Sequence, residues 1–168
     1  MATWWLAIDR QYTSYDELKH RKVVAQGWPD LGNLLTLCAL AGAGDRNTFI
    51  QTVKALERIA YGNSTHAARV MWDLLSMRAG DLVVGIEGTT VKGICQLKEN
   101  GWESYQHHSP EAYNYAQTIS FPVEWIDWDV NVFGFTPVPP AQSGQGVAGL
   151  QHASQQVVSA WSRYQSSP

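Results

Sequence analysis

The sequence predicts an α+β fold in which helices surround a curved, mostly antiparallel, barrel-like sheet. Three observations predict it: a short apolar strand opens the chain, two segments with helical periodicity follow, and a β-hairpin comes after them. The chain has 168 residues, which is enough for one domain with its own core and an appendage. Apolar residues make up 45% and charged residues 16%, as is typical of a folded protein.

The first 28 residues predict a strand, a helix and a second strand. The run TWWLAI (3–8) is short, apolar and bounded by polar residues, which favours a buried strand. In TSYDELKHRK (13–22), acids precede bases and either Thr13 or Ser14 can cap the N-terminus, so this segment predicts a helix. The segment KVVAQGW then predicts the return strand.

Two helices are predicted in the middle of the chain. In residues 47–60, apolar side chains recur at helical spacing, with Asn47 or Thr48 as the N-cap. In the helix after YGNST, Trp72 lies about 100° from the centre of the apolar stripe and is expected to face another element. The stripe itself consists of Ala67, Val70, Met71, Leu74 and Leu75.

Residues 78–102 give the clearest β pattern, because two apolar runs are joined by a turn around Gly88. Gly93, inside the second run, indicates a bulge or a close backbone approach. The segment TISFPVEWIDWDV (118–130) predicts a last strand, in which Pro122 marks an edge or a bulge.

The last part of the chain predicts a linker and a helix outside the domain. The run TPVPPAQSGQG is rich in Pro, Gly and Gln, so we expect the domain to span 1–135 and the linker 136–148. Residues 149–168 predict an amphipathic helix that either docks back on the sheet or leads to a further effector domain. Its apolar positions are Leu150, Ala153, Val157, Ala160 or Trp161, and Tyr164.

Charge and cysteine usage limit the function classes. The net charge of −3 means that contact with nucleic acid would need a local basic patch. Cys38 and Cys95 stand in apolar settings without zinc-ligand spacing, so we expect buried free thiols and neither a metal nor another cofactor. No apolar run has the length of a membrane span and the start lacks a signal peptide, so the expected location is cytoplasmic, with no membrane partner.

Aromatic side chains are concentrated where loops or strand ends are predicted. They are Trp28 in GWPDLG, Trp102 and Tyr105 in NGWESYQHH, and Tyr113 and Tyr115 in PEAYNYAQ. Loops on a barrel-like sheet converge at its rim, so rings from different loops can wall one pocket that accepts a flat or cationic group. The alternative is that these rings cap the core.

Catalysis within the chain is not expected. The one concentrated titratable cluster combines His107 and His108 with Glu103 and Glu111, and adjacent loop histidines are more often exposed than ligating. The glycine-rich GAGDRN (42–47) lacks the Gly-Lys-Ser/Thr of a phosphate-binding loop. We therefore expect the chain to have no nuclease activity of its own.

Several segments together resemble the EVE domain of the PUA-like superfamily. They are WWLAID, GWPDLGNL, AARVMWDLLSMRAGDLVVGIEGTTVKGICQL and YNYAQTISFPVEWIDW, which stand in the family's order over about residues 3–130. The version most similar to them is the N-terminal specificity domain of McrB-type and other modification-dependent restriction systems. The resemblance implies a PUA-like fold and a non-catalytic reader of modified double-stranded DNA, with the nuclease in another domain or subunit.

The plan is also similar to that of YTH readers, in which two aromatic rings hold a flipped methylated base. By position, Trp28 matches the first ring and Trp102 or Tyr105 the second, with Tyr113 as a further wall. Asp9, Asp16 and Asp30 compete for the polar contact to the base edge. The base implied is a methylated or hydroxymethylated cytosine or N6-methyladenine.

Two questions stay open from the sequence. Five basic residues are candidates for contacts to the nucleic-acid backbone, although a solvated face explains them equally well; they are Lys19, Arg21, Lys22, Lys92 and Lys98. The same fold also serves RNA-modification or structured-RNA readers, and small-ligand sensors or protein-interaction domains.

Overall fold

Two sheets and seven α-helices make up the part of the chain that the computed structural model describes, which is residues 1–63, 66–108, 113–139, 146–150 and 153–168. The strands are β1 (Thr3–Ile8), β2 (Val24–Gln26), β3 (Leu82–Glu87), β4 (Thr90–Gln96), β5 (Gln106–His107), β6 (Gln117–Ile119), β7 (Ile126–Asp127) and β8 (Gly146–Gly149). The helices are α1 (Tyr15–Arg21), α2 (Cys38–Ala43), α3 (Arg46–Tyr61), α4 (Ala67–Ser76), α5 (Gly101–Ser104), α6 (Val130–Phe133) and α7 (Ser154–Ser166).

The larger sheet has five strands in the order β7-β4-β3-β1-β8, and the smaller has three in the order β2-β6-β5. Strands β1 and β3 are parallel, while the other described ladders are antiparallel. The predicted α+β class with a mostly antiparallel sheet is therefore confirmed. The two described sheets are not hydrogen-bonded to each other and do not form a closed barrel, so the barrel-like arrangement that the sequence predicted is not confirmed.

Side chains alternate across the larger sheet and form a core on each face. On one face, Leu6, Val83 and Cys95 pack with apolar side chains of α1, α3 and α4. On the other face, a second cluster is covered by Val157, Ala160 and Trp161 of α7; its sheet residues are Trp5, Leu82, Val84, Ile86 and Ile94. The larger sheet is thus buried on both faces, which explains its nearly continuous apolar runs.

Locally encoded elements agree with the sequence. Strand β1 has the predicted limits, and the Ser14 side chain caps α1 by accepting a hydrogen bond from the Glu17 amide at 3.1 Å. The predicted stripe of α4 is buried, and Trp72 packs edge-on against Phe49 of α3 with 5.3 Å between ring centroids. Helix α3 begins one residue before the range predicted, and the predicted N-caps Asn47 and Thr48 are wrong, because the Asp45 side chain caps the helix by accepting from the Thr48 amide at 3.2 Å.

The predicted hairpin is present, with its turn at Gly88, and the predicted bulge lies next to Gly93. The β3–β4 ladder shifts between Gly85 and Ile86, so Lys92 is an extra residue in β4. A Cβ atom at Gly93 would overlap the phenol of Tyr15, whose hydroxyl donates to the Asp127 carboxylate at 2.9 Å. The glycine therefore makes room for a buried, hydrogen-bonded tyrosine.

Replacing Gly93 by Ala is expected to lower the free energy of unfolding by about 1–3 kcal/mol, because the added methyl displaces Tyr15. Gly149→Ala is the matched control: Gly149 is also a strand glycine, but no heavy atom lies within 4 Å of an added Cβ. Urea denaturation of both variants measures the difference. Equal stability of the two variants would contradict this account of Gly93.

The predicted strand over 118–130 is wrong as one element. Its N-terminal part pairs with β2 as β6, and its C-terminal part pairs with β4 as β7, in a different sheet. The chain changes sheets around the cis Phe121–Pro122 peptide. Pro122 lacks an amide donor for a ladder, so a break at this position is consistent with its chemistry.

The structure also corrects the predicted boundary at residue 135. Residues 146–149, placed in the linker and tail by composition, form β8, which pairs with β1. The amide of Leu150 donates to the Thr3 carbonyl at 2.8 Å, and α7 covers one face of the sheet. The predicted amphipathic helix exists but begins at Ser154 and belongs to the same core; positions 140–145, 151 and 152 lie outside the described residues.

Candidate functional site

A cavity of about 350 Å³ lies where four separate segments of the chain meet. The first segment follows β1, the second follows β2, the third is the C-terminal end of α3, and the fourth precedes β6. The volume falls in the range of small-ligand sites. The lining residues are aromatic or polar for the most part: Asp9, Tyr12, Gln26, Gly27, Trp28, Pro29, Asp30, Tyr61, Asn114 and Tyr115.

Trp28 stands at this cavity in an unusual backbone conformation. Its φ of 51° and ψ of 55° lie in the left-handed region, immediately before the 3₁₀ turn Pro29–Leu31. A bulky side chain adopts this region at a cost of about 1–3 kcal/mol, so the surrounding structure must hold it there. The indole is half-buried, contacts the core on one side and meets the His66 ring edge-on at 5.5 Å.

A buried polar network holds the Trp28 loop. The Gln117 side-chain amide donates to the Trp28 carbonyl at 3.2 Å and to the Gly32 carbonyl at 3.0 Å. Its oxygen accepts from the Tyr105 hydroxyl, which in turn accepts from the Leu34 amide at 3.0 Å. Gln117 has no solvent exposure, and burial raises the pKa of Tyr105 to about 12. Gln117 and Tyr105 therefore stabilise the loop through hydrogen bonds to its backbone on its buried side.

The rings expected opposite Trp28 lie elsewhere. Tyr105 belongs to the network, and Trp102, on α5, packs so closely on α2 that a Cβ at Gly42 would lie 2.9 Å from its indole. Tyr113 is buried, its hydroxyl lies 2.8 Å from that of Thr13, and the Arg21 guanidinium stacks over its ring at 4.1 Å. None of Trp102, Tyr105 and Tyr113 lines the cavity, so the structure does not bring them together with Trp28 as walls.

Other aromatic rings line the cavity with Trp28. Tyr115 is one of the loop aromatics noted in the sequence, whereas Tyr12 and Tyr61 were missed. Tyr12 is a bulky aromatic residue in the polar segment after β1, which is the same kind of sequence signal that singled out Trp28. Its side chain is 52% exposed. Tyr61 ends α3, and its helical position hides its role because an aromatic residue there fits an amphipathic helix equally well.

Two of the three candidate aspartates line the cavity. The backbone amide of Asp9 donates to the Tyr115 hydroxyl at 2.7 Å, and that of Asp30 donates to the Tyr61 hydroxyl at 3.1 Å. Burial is the main reason that the pKa of both tyrosines is raised. Asp16 lies in the first turn of α1 and is not among the lining residues.

The five candidate backbone-contacting residues do not line the cavity. Lys19 pairs with Asp127 at 2.9 Å, and hydrogen bonds from Lys19 and Tyr15, together with the charge of Lys92, lower the pKa of that carboxyl group. Arg21 pairs with Glu17 at 2.6 Å. The side chains of Lys22 and Lys98 are exposed.

Within the described ranges, no group of three or more His, Cys, Asp or Glu side chains is arranged to hold a metal ion. Cys38 and Cys95 are buried free thiols, as predicted, and burial raises the pKa of both. Among the helices that the structure describes, none is long and apolar enough to span a bilayer. Neither the protein-family models nor the curated protein sequences compared with this chain give a match.

Proposed function

We propose that this domain binds a modified nucleobase that has been flipped out of DNA, and that the base enters the cavity beside Trp28. The observation that carries the proposal is an aromatic-walled cavity in which a tryptophan is held in a costly backbone conformation by a buried network. Strained residues that the surrounding structure fixes cluster at binding sites, which supports a ligand role for this loop.

The physical basis of such binding is stacking combined with contacts to the edge of the base. Flipping a base costs a few kcal/mol, and each stacked aromatic ring returns about 1–3 kcal/mol. Trp28 supplies one ring, while Tyr12, Tyr61 and Tyr115 are the other aromatic residues of the lining. Asp9 or Asp30 would accept a hydrogen bond from an exocyclic amine or a hydroxymethyl group.

The resemblance to EVE domains supports the same reading and gives it a context. Under this proposal the fold is PUA-like and the domain is the non-catalytic specificity module of a modification-dependent restriction system. The nuclease is then another domain or subunit. Lys22 and Lys98, as exposed cations, would contact phosphates and orient the DNA without reading its sequence.

A binding panel tests the proposal. Otherwise identical DNA and RNA oligonucleotides carry cytosine, 5-methylcytosine, 5-hydroxymethylcytosine, adenine or N6-methyladenine, and affinity is measured at two salt concentrations. Tighter binding of one modified DNA than of its unmodified counterpart is the expected result. Preference for modified RNA would favour the RNA reader, and equal binding of all oligonucleotides would contradict base recognition.

Trp28→Ala is expected to weaken binding to the preferred DNA by about 1–3 kcal/mol, or about 5- to 150-fold, because one stacking face is lost. The matched control is Trp102→Ala, since Trp102 is also a half-buried tryptophan but does not line the cavity. That control is expected to bind within about twofold of the parent. Thermal unfolding of both variants separates an effect on binding from an effect on folding.

The opposite pattern would identify Trp28 as a purely structural residue. In that case Trp28→Ala would lower stability by about 3–5 kcal/mol, as for a core tryptophan, and the folded fraction would bind normally. A larger loss of affinity in Trp102→Ala than in Trp28→Ala would contradict the position proposed for the base.

A further inference from the structure

One amide side chain of the cavity lining is buried but uses little of its hydrogen-bonding capacity. Gln26, the last residue of β2, is only 2% exposed. Its Nε2 donates to the Ala7 carbonyl at 3.4 Å, which is longer than an ordinary N–H···O hydrogen bond. Among the residues that the structure describes, the Gln26 amide has no other hydrogen-bond partner. One N–H donor and the Oε1 acceptor are therefore available to a ligand.

A neighbouring glutamine shows the contrast. Gln117 lies directly opposite Gln26 in the ladder between β2 and β6, and it is also buried. Its amide donates to two carbonyls of the Trp28 loop, and its oxygen accepts from the Tyr105 hydroxyl. Burying an amide without its hydrogen bonds is unfavourable, so the amide of Gln26 beside a cavity supports a ligand-binding role.

Gln26 lies at the inner end of the cavity. Asp30 and Asn114 of the lining are exposed. Gln26 and Tyr115 of the lining are buried. A flipped base stays joined to its sugar outside the cavity, so the edge opposite the glycosidic bond enters first. That edge carries hydrogen-bonding groups that the base uses in pairing, and it is the edge that enzymes read on a flipped base.

We propose that Gln26 is a specificity-determining residue that reads the hydrogen-bonding edge of the base. The inference rests on the proposed function and names the class of base. The oxygen and one N–H of a glutamine amide lie side by side, so they match an exocyclic amine next to a ring nitrogen, as adenine and cytosine present them. Because the Ala7 carbonyl can only accept, it holds Nε2 on its side and fixes the order of the two groups.

The class of base follows from this pairing. A base that is modified on a ring carbon, or once on its exocyclic amine, keeps an N–H donor beside a ring-nitrogen acceptor and satisfies Gln26. A base that has lost that N–H, or whose ring nitrogen is alkylated, leaves a buried polar group of Gln26 without a partner. Such a base is therefore rejected, because an unpaired buried amide is costly.

Pairs of closely related bases provide the test. N6-methyladenine is compared with 6-methoxypurine, in which an oxygen replaces the exocyclic N–H, and 5-methylcytosine with 5-methyl-2-pyrimidinone, which lacks the amine. Each base is placed at the same position of a single-stranded DNA oligonucleotide, so that base pairing does not contribute. In the pair whose amine-bearing base binds, we expect that base to bind about 5- to 30-fold more tightly than its analogue, which leaves the Gln26 oxygen unpaired.

Gln26→Leu should reduce this preference to within about twofold, because leucine offers the base edge neither a donor nor an acceptor. Gln117→Leu is the matched control, since it replaces the buried glutamine opposite, whose amide holds the loop backbone. It is expected to weaken binding of both bases alike and to keep their ratio. Thermal unfolding verifies that the variants are folded, and Gln26→Met, unbranched like glutamine, replaces Gln26→Leu if the leucine variant does not fold.

The outcomes separate this inference from the function on which it rests. Equal binding of an amine-bearing base and its analogue by the unaltered protein would overturn the inference and leave a base-binding cavity in place. A preference that persists in the Gln26 variant would also overturn it, since a residue that only supports the cavity affects both bases alike. Equal binding of modified and unmodified bases, with the edge preference kept, would overturn the proposed function and leave the role of Gln26 in place. Failure of every modified oligonucleotide to bind would overturn both proposals.

Discussion

A chain that ends at Phe135 is expected to lose its cooperative fold. Strand β8 and helix α7 lie beyond that point, and their removal exposes an apolar face of the larger sheet. The side chains uncovered are Trp5, Leu82, Val84, Ile86 and Ile94, each of which is at most 4% exposed in the whole chain. Burial of such a side chain contributes about 1.5–3 kcal/mol, so the combined loss is comparable to the stability of a whole domain, about 5–15 kcal/mol.

Circular dichroism and thermal unfolding of residues 1–135 beside the full chain provide the measurement. Trp161→Ala is a milder change than the truncation, because it removes one side chain of the contact between α7 and the sheet. It is expected to lower the free energy of unfolding by about 3–5 kcal/mol, because the indole is only 6% exposed. Its matched control is Ser162→Ala, on the exposed side of the same helix. A 1–135 fragment that unfolds cooperatively near the midpoint of the full chain would restore the boundary that the composition predicted.

The tail shows why composition misplaced the domain boundary. Strand β8 has the sequence GVAG, which has no strand periodicity, and it is a strand because its backbone pairs with β1, more than 130 positions earlier. By contrast, β1, the β3–β4 hairpin and the stripe of α4 each carry an apolar pattern within their own short segment of sequence, although β1 also pairs with distant strands. Local patterns therefore predicted these elements, and a non-local pairing hid the last strand.

The site divides in the same way. Trp28, which lines the cavity, was singled out because a large indole between Gly27 and Pro29 has no local structural reason to be there. The choice of the other rings failed because it depends on tertiary packing: Trp102 fills the space beside Gly42, and Tyr105 is bound by Gln117. Nothing in the neighbouring sequence distinguishes an aromatic residue that walls a cavity from one that supports its loop.

Gln117→Leu is expected to lower the free energy of unfolding and to weaken ligand binding. The substitution removes two donors and one acceptor from a fully buried position, and leaves the Trp28 and Gly32 carbonyls and the Tyr105 hydroxyl without this partner. Buried polar groups that lose their partners cost about 1–3 kcal/mol each, with some recovery through relaxation. We expect the free energy of unfolding to fall by about 2–5 kcal/mol.

The same change should weaken binding beyond what the unfolded fraction explains, because Trp28 is then free to leave its left-handed conformation and misplace its ring. Urea denaturation gives the stability, and titration under conditions where the variant is folded gives the affinity.

Gln106→Leu is the matched control, since Gln106 is exposed on the neighbouring strand β5. Tyr105→Phe should reproduce the binding defect in weaker form, because it removes only the hydroxyl that links Leu34 to Gln117. If Gln117→Leu lost stability but kept full affinity when folded, the network would be part of the core alone, and the conformation of Trp28 would have another cause.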